Sequence, residues 1–288
     1  MHDQATTLRE KIRMRQTQTI LGLKPGAESL GGPESVQTHV IAVTSGKGGV
    51  GKTNTVVNLA AALNLRGKKV LILDADFGLA NIDVLLGLAP QHHLGDFLSG
   101  EKTLREIIVS TPQGIAIIPA APGIQTLSHL DESQTQRLFL ALDDLIKDYE
   151  YFFIDTSAGI SDNVTRLLIA SQQIIVVSSP DPTAIVDAYA LIKIVLQLDP
   201  SRQLSILINS VTGSQEAEQI FAQLSRVTQR FLARELRYLG YVQFDDKLSG
   251  AVRAQRAVVL EFPFSPSSRC FRNLAKALIP PEAGETGS

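Results

Sequence analysis

One cysteine, Cys270, stands in 288 residues. That count rules out a disulfide framework, a cysteine-ligated zinc site and an iron–sulfur cluster held within one chain. The five histidines (His2, His39, His92, His93 and His129) have no metal-ligand spacing, so none is nominated as a ligand. No apolar run approaches the length of a membrane span, and the N-terminus has no signal-peptide core; the cytoplasm is the expected location. Excess charge of either sign is also missing. A formal net charge of −2 and a pI of about 6.2 give no general attraction to nucleic acid or an anionic membrane; either would need a local patch. What the chain does have is apolar content, 44% of its residues, enough for one sizeable core in a single α/β domain with extensions.

Three zones follow one another. Residues 1–17 start polar and then carry Arg9, Lys11, Arg13 and Arg15, with Ala5, Leu8 and Ile12 at helical spacing. Residues 21–37 hold Pro25, Gly26, Gly31, Gly32 and Pro33, the composition of a flexible linker. From Thr38 onward short β-branched runs alternate with helical patterns. Strands are expected at 39–45, 68–76, 114–120, 151–156, 173–179 and 204–210, with a short one at 238–244. Most are continuously apolar, as in strands buried on both faces of a parallel sheet. Helical stretches lie between them, for example 53–66, closed by Gly67, and 184–198, closed by Asp199 and Pro200. The βαβα order predicts a doubly wound, mostly parallel sheet with helices on both faces. The domain boundaries that follow are an N-terminal helix within 1–20, a linker at 21–37, the folded domain at 38–280 and a disordered tail at 281–288.

The chemistry concentrates in SGKGGVGKT, Ser45 to Thr53, which follows one expected strand and opens a helix. Glycines there let the backbone curl so that successive N–H groups, among them those of Gly48, Gly49, Val50 and Gly51, point at phosphate oxygens. The helix N-terminus adds partial positive charge. Lys52 is placed for the β- and γ-phosphates and the Thr53 hydroxyl for Mg²⁺, which makes this a nucleotide loop for ATP or ADP. Further along, LILDAD ends a buried strand in Asp74 and Asp76, where carboxylates face the ligand crevice. Asp76 can hold the magnesium shell or orient attacking water; such a pair can also simply cap the next helix. In YFFIDTSAGIS four apolar residues carry Asp155 to the sheet edge, where it can hold Mg²⁺ through water.

Lys47-Gly48-Gly49-Val50-Gly51-Lys52-Thr53 matches in full the KGGxGKT loop of the MinD/ParA class of ATPases, and the chain resembles that class over nearly all of 38–280. The resemblance implies a P-loop fold and an ATP-dependent homodimer in which Lys47 crosses to the partner's nucleotide. It implies switch I at Asp76, switch II at Thr156–Gly159, and a nucleotide pocket including Asn54. Asp187 matches an aspartate near the signature lysine, although an acid there can equally be a solvated first-turn residue. Asn209 matches the adenine-reading asparagine, with a strand-end turn as the alternative. The segment around Phe244 matches one that packs on adenine, but the family's usual proline there is Gln243.

Asp3-Gln4-Ala5-Thr6-Thr7-Leu8-Arg9 matches DQAxxLR, the N-terminal motif of the flagellar-number regulators FlhG, FleN and YlxH. The resemblance implies that Asp3, Gln4, Ala5, Leu8 and Arg9 bind and activate a GTPase of the FlhF type. It further implies a flagellar transcriptional regulator and switch-complex proteins as partners, slow ATP hydrolysis, and transient visits to the cell pole or membrane. A DNA-partitioning ATPase and a nucleotide-sensing scaffold with negligible turnover are the competing functions; direct DNA binding is not expected. Two surfaces stay open. Residues 265–279 form an amphipathic stretch, read as the last core helix in preference to a membrane anchor. Arg226, Arg230, Arg234 and Arg237 fall on one expected helical face opposite Phe221, Leu224 and Phe231, read as a solvated face.

Overall fold

The computed structural model describes residues 38–76, 81–120 and 132–280. The expected activating helix, the linker and the C-terminal tail therefore lie outside the described residues, as do Asp3, Gln4, Ala5, Leu8 and Arg9.

The apolar runs become an eight-stranded sheet: β1 (His39–Thr44), β2 (Val70–Ala75), β3 (Val109–Ser110), β4 (Ala116–Ile118), β5 (Tyr151–Thr156), β6 (Gln173–Ser178), β7 (Leu204–Val211) and β8 (Arg237–Gln243). Their spatial order is β3-β4-β2-β5-β1-β6-β7-β8. Every neighbouring pair is parallel except β3–β4, a two-residue antiparallel edge that was not expected because two residues directly after a short helix are too few to show a strand period. β1 pairs β5 on one side and β6 on the other, so the chain reverses its direction of winding around β1. Ligand crevices open at the C-terminal ends of strands at such a point.

Alternating residues of each strand serve opposite faces. Val40 and Ala42 pack with helices α3 (Leu94–Ser99), α4 (Leu104–Ile107), α5 (Glu132–Leu145), α6 (Asp162–Ala170), α7 (Pro182–Leu198) and α8 (Ser214–Leu232). Ile41 and Val43 pack with α1 (Lys52–Asn64), α2 (Ile82–Leu85), α9 (Asp246–Arg253), α10 (Val258–Glu261) and α11 (Pro266–Leu278). The doubly wound reading is what the chain adopts. Among the described residues no helix is long and apolar enough to cross a membrane.

Both open surfaces are decided by packing. Phe271, Leu274 and Leu278 of α11 are buried with the α1 face of the sheet, so the amphipathic stretch is a core helix. The arginine stripe is corrected. α8 stops at Leu232 because Ala233 turns left-handed at φ 53°, so Arg234 lies beyond the helix and Arg237 opens β8. Phe231, expected on the buried side, is exposed, with the Arg230 guanidinium 5.4 Å from its ring centre.

Phe271 is 1% exposed, and emptying its site leaves a cavity between α11, α1 and the sheet. Phe271→Ala should cost about 3–5 kcal/mol in a urea or guanidinium titration. A loss below about 1 kcal/mol would show that α11 is not part of the cooperative core.

Candidate nucleotide-binding site

The loop between β1 and α1 is held at three points. At Gly46, an added Cβ would sit 2.1 Å from the Asp187 carbonyl oxygen, so α7 presses directly on the loop backbone. The Gly159 amide donates to the Ser45 carbonyl at 3.0 Å, and the Ser45 hydroxyl donates to the Lys47 carbonyl at 2.7 Å. The buried Asn209 amide nitrogen donates to the Val50 carbonyl at 2.7 Å. Gly51 must be glycine twice over: its φ is 91°, and a Cβ would meet Asn209 Nδ2 at 2.3 Å. Past Gly51, α1 begins with no side-chain cap and no acidic residue in its first turn. Its leading N–H groups are left to an external anion, the arrangement a phosphate requires. Lys52 is 7% exposed at this helix start, and Thr53 and Asn54 are half-buried beside it. Asn54 Oδ1 is buried without a protein partner.

Three carboxylates face this loop from the neighbouring strands. Asp74 and Asp155 are direct register partners on β2 and β5, both buried. Asp74 is saturated by backbone: Oδ1 accepts from Asp76 N at 3.1 Å, Oδ2 from Asn81 N at 3.2 Å and Ile82 N at 3.3 Å. It clamps the chain on both sides of the expected switch I. Burial, and then the nearby Asp155 charge, raise its pKa to about 7 against those three bonds. Asp155 differs. Neither of its carboxylate oxygens has a well-formed hydrogen bond, although the Thr53 hydroxyl and the Lys52 charge lie close enough to favour the anion. Burial dominates and raises its pKa to about 6.

A buried carboxylate with both oxygens unmet is costly unless something positive arrives. Mg²⁺ fits that description. Thr53 and Asp155, with the half-buried Asp76 beside them, are hard oxygen donors. Among the described residues no group of three His, Cys, Asp or Glu side chains could hold a metal by itself. A magnesium ion here would thus take most of its shell from phosphates and water, as it does in phosphoryl-transfer sites.

Other nominated residues fall differently. Lys47 pairs with Asp181, not Asp187: its Nζ lies 2.6 Å from Asp181 Oδ2 and 2.6 Å from Thr183 Oγ1. Asp187 contributes its backbone, against Gly46. Asp181 went unnominated because its local pattern, Asp-Pro-Thr before an apolar helix, reads as an N-cap, which it also is. Asn209 stands at a bulge in the β7–β8 pairing, next to Ser210 at φ 63°, which aims its side chain at the loop. Phe244 follows β8 and is 61% exposed, its amide bonded to the Val211 carbonyl. Gln243, standing where the resembled family usually has proline, donates to the Thr212 carbonyl at 3.1 Å.

The AAA domain family matches residues 38–208. The antiactivator FleN of Pseudomonas aeruginosa is 44% identical over 83% of this chain and 85% of its own length. The flagellum site-determining protein YlxH of Helicobacter pylori is 35% identical over 84% of this chain and 82% of its own. Among solved structures, the MinC:MinD cell division protein complex of Aquifex aeolicus contains a chain with a TM-score of 0.70 and 25% identity, covering 85% of this chain and 99% of that one.

The raised acids set a pH dependence. An acid raised from 3.8 to about 6 or 7 binds protons in the folded state that the unfolded chain has already released. Without nucleotide, stability therefore falls as pH rises from about 4 to about 7 and levels off above. Asp155→Asn should flatten that slope and raise Tm at pH 8 by roughly 2–6 °C, while weakening magnesium–nucleotide binding. Calorimetry at several pH values checks it; an undiminished slope would reject the electrostatic cost assigned to Asp155.

Proposed function

We propose a function on one settled premise: the chain belongs to the MinD/ParA-type ATPases, close to the flagellar-number regulators FleN and FlhG. In this reading it is a switch, monomeric without ATP, dimeric with it and reset by slow hydrolysis, and its dimer sets flagellar number and placement. Partners are an FlhF-type GTPase reached through residues 1–17, a flagellar transcriptional regulator and switch-complex proteins.

The observation that carries the reading is the division between two lysines. Lys52 is 7% exposed beneath the loop, while the Lys47 side chain is 40% exposed and turned to the surface. One serves the chain's own phosphates; the other is available to a second copy. Mg²⁺, when bound, neutralises charge on the β- and γ-phosphates. Thr53 and, through water, Asp155 would hold it, with Asp76 in its shell or orienting the attacking water. Lys47 of each chain then offsets charge on the partner's transferring phosphoryl group, as an arginine finger does. The Asn209 amide nitrogen, committed to Val50, leaves its carbonyl oxygen for the exocyclic amine of adenine. Phe244 gives an exposed ring to lie against the base; Asn54, half-buried at the start of α1, completes the lining, and Asp187 supports it from behind Gly46.

Three experiments test this. Lys52→Ala should abolish nucleotide binding, whereas Lys47→Ala should leave ADP affinity nearly intact and weaken ATP-dependent dimerisation and turnover. Equal loss of ADP affinity in both variants would remove the role in trans. Asp76→Ala should accumulate as an ATP-bound dimer on sizing chromatography; a variant that hydrolyses ATP at the parental rate counts against Asp76. A peptide of residues 1–20 should stimulate an FlhF-type GTPase, and deleting those residues should abolish stimulation while sparing ATP hydrolysis. Stimulation surviving the deletion would refute the N-terminal assignment.

A further inference from the structure

Lys47 sits in a cradle with two distinct halves. Asp181 Oδ1 caps α7, accepting from the Thr183 amide at 2.8 Å and the Thr183 hydroxyl at 2.9 Å. Asp181 Oδ2 is given over to the lysine. The Thr183 hydroxyl works both ways, accepting from Lys47 and donating to Asp181, so two of the ammonium's three donors are engaged. The same helix that supplies this cradle presses on Gly46, one residue before the lysine. On the other side, Gly48 and Gly49 open to space in which a Cβ would touch nothing within 4 Å. The lysine thus stands between an anchored glycine and an unobstructed one, and its side chain can leave the cradle while the loop keeps its seat on α7.

We propose that Asp181, seconded by Thr183, is a positioning residue that parks the signature lysine in cis, so that a second copy of the chain must draw Lys47 off Asp181 before the two can close on nucleotide. The proposal rests on the reading that Lys47 acts in trans. Parking keeps the exposed ammonium from competing for the chain's own phosphates and sets the threshold for assembly. The cradle is open enough to be left. The paired side chains are 40% and 44% exposed, so water screens them, and such pairs shift an equilibrium by roughly fivefold at most. Two protomers release two lysines, so the effect on dimerisation is roughly the square, up to about 25-fold. Protonation does not open the cradle at neutral pH. Hydrogen bonds from the Lys47 ammonium and from Thr183 lower the Asp181 pKa to about 2, so competition for the lysine is the release.

Asp181→Asn tests this, because asparagine caps a helix as well as aspartate does while giving up the charge. With Mg²⁺ and a non-hydrolysable ATP analogue, sedimentation of the full chain should show the variant dimerising about 4- to 25-fold more tightly than the parent. Thr183→Val should move the same way by less, and it decides the matter should the first variant melt early. In a Lys47→Ala background neither change should have any effect. Dimerisation that is unchanged or weaker in both variants, or a gain that persists without Lys47, overturns the parking role. The underlying reading fails separately: if Lys47→Ala alone dimerises as tightly as the parent, the lysine has no role in trans.

Discussion

The site depends on a contact with no room in it. Where Gly46 would carry a β-carbon, the carbonyl of Asp187 lies 2.1 Å away, so the phosphate loop and α7 meet backbone to backbone. Much follows from that closeness. It brings the start of α7, with Asp181 and Thr183, within reach of Lys47. It also sets the loop on the β1–β6 side of the sheet, while the carboxylates of β2 and β5 approach from the other side. Any side chain at position 46 would push the loop off α7 and separate these halves.

Against that fixed loop the strand ends hold charge at a cost. Asp155 is buried with both oxygens unmet, a state folding alone does not favour. Asp74, one strand away, shows the other way to bury a carboxylate: three backbone N–H groups satisfy it and it becomes structure. The two stand side by side in register with opposite solutions: one carboxylate is met by its own backbone, the other has no well-formed hydrogen bond at either oxygen. Residual strain of this kind gathers at functional sites and is offset by packing elsewhere, here by two apolar layers that cover both faces of the sheet.

How much of this could be read beforehand follows from range. Strands β1, β2, β5, β6 and β7 were legible because burial on both faces leaves an unbroken apolar run. The loop was legible because phosphate chemistry needs its residues contiguous. The Lys47–Asp181 pair spans 134 positions and the Asn209–Val50 bond 159, and no local pattern marks either. Asp181 was further hidden by its second role as a cap. The arginine stripe failed for a different reason: helical periodicity continued on paper past Ala233, where the backbone turns left-handed and the face ceases to exist. The edge strand β3 escaped because two residues carry no period at all.

The packing also says where a nucleotide signal can travel. α1 is pinned along its length: its buried face lies on the sheet and against α11, and Asn58 Oδ1 accepts the Val259 amide at 3.3 Å, tying it to α10. A helix so enclosed cannot shift without opening the core, so the phosphate loop is a rigid reference. Give exists at Gly159, whose φ of 94° and empty surroundings let its backbone move at the expense of one hydrogen bond to Ser45. It exists again at Asp76, held by a single bond to Asp74 on one side of the clamp, while Asn81 and Ile82 hold the other. From Ile82 the line continues through α2, where the Val84 carbonyl accepts from Gln255 at 3.0 Å, to the turn between α9 and α10. Around the rigid loop, then, the described residues with most freedom are Gly159 and Asp76, and the bonded path from the Asp74 clamp runs along α2 to Gln255.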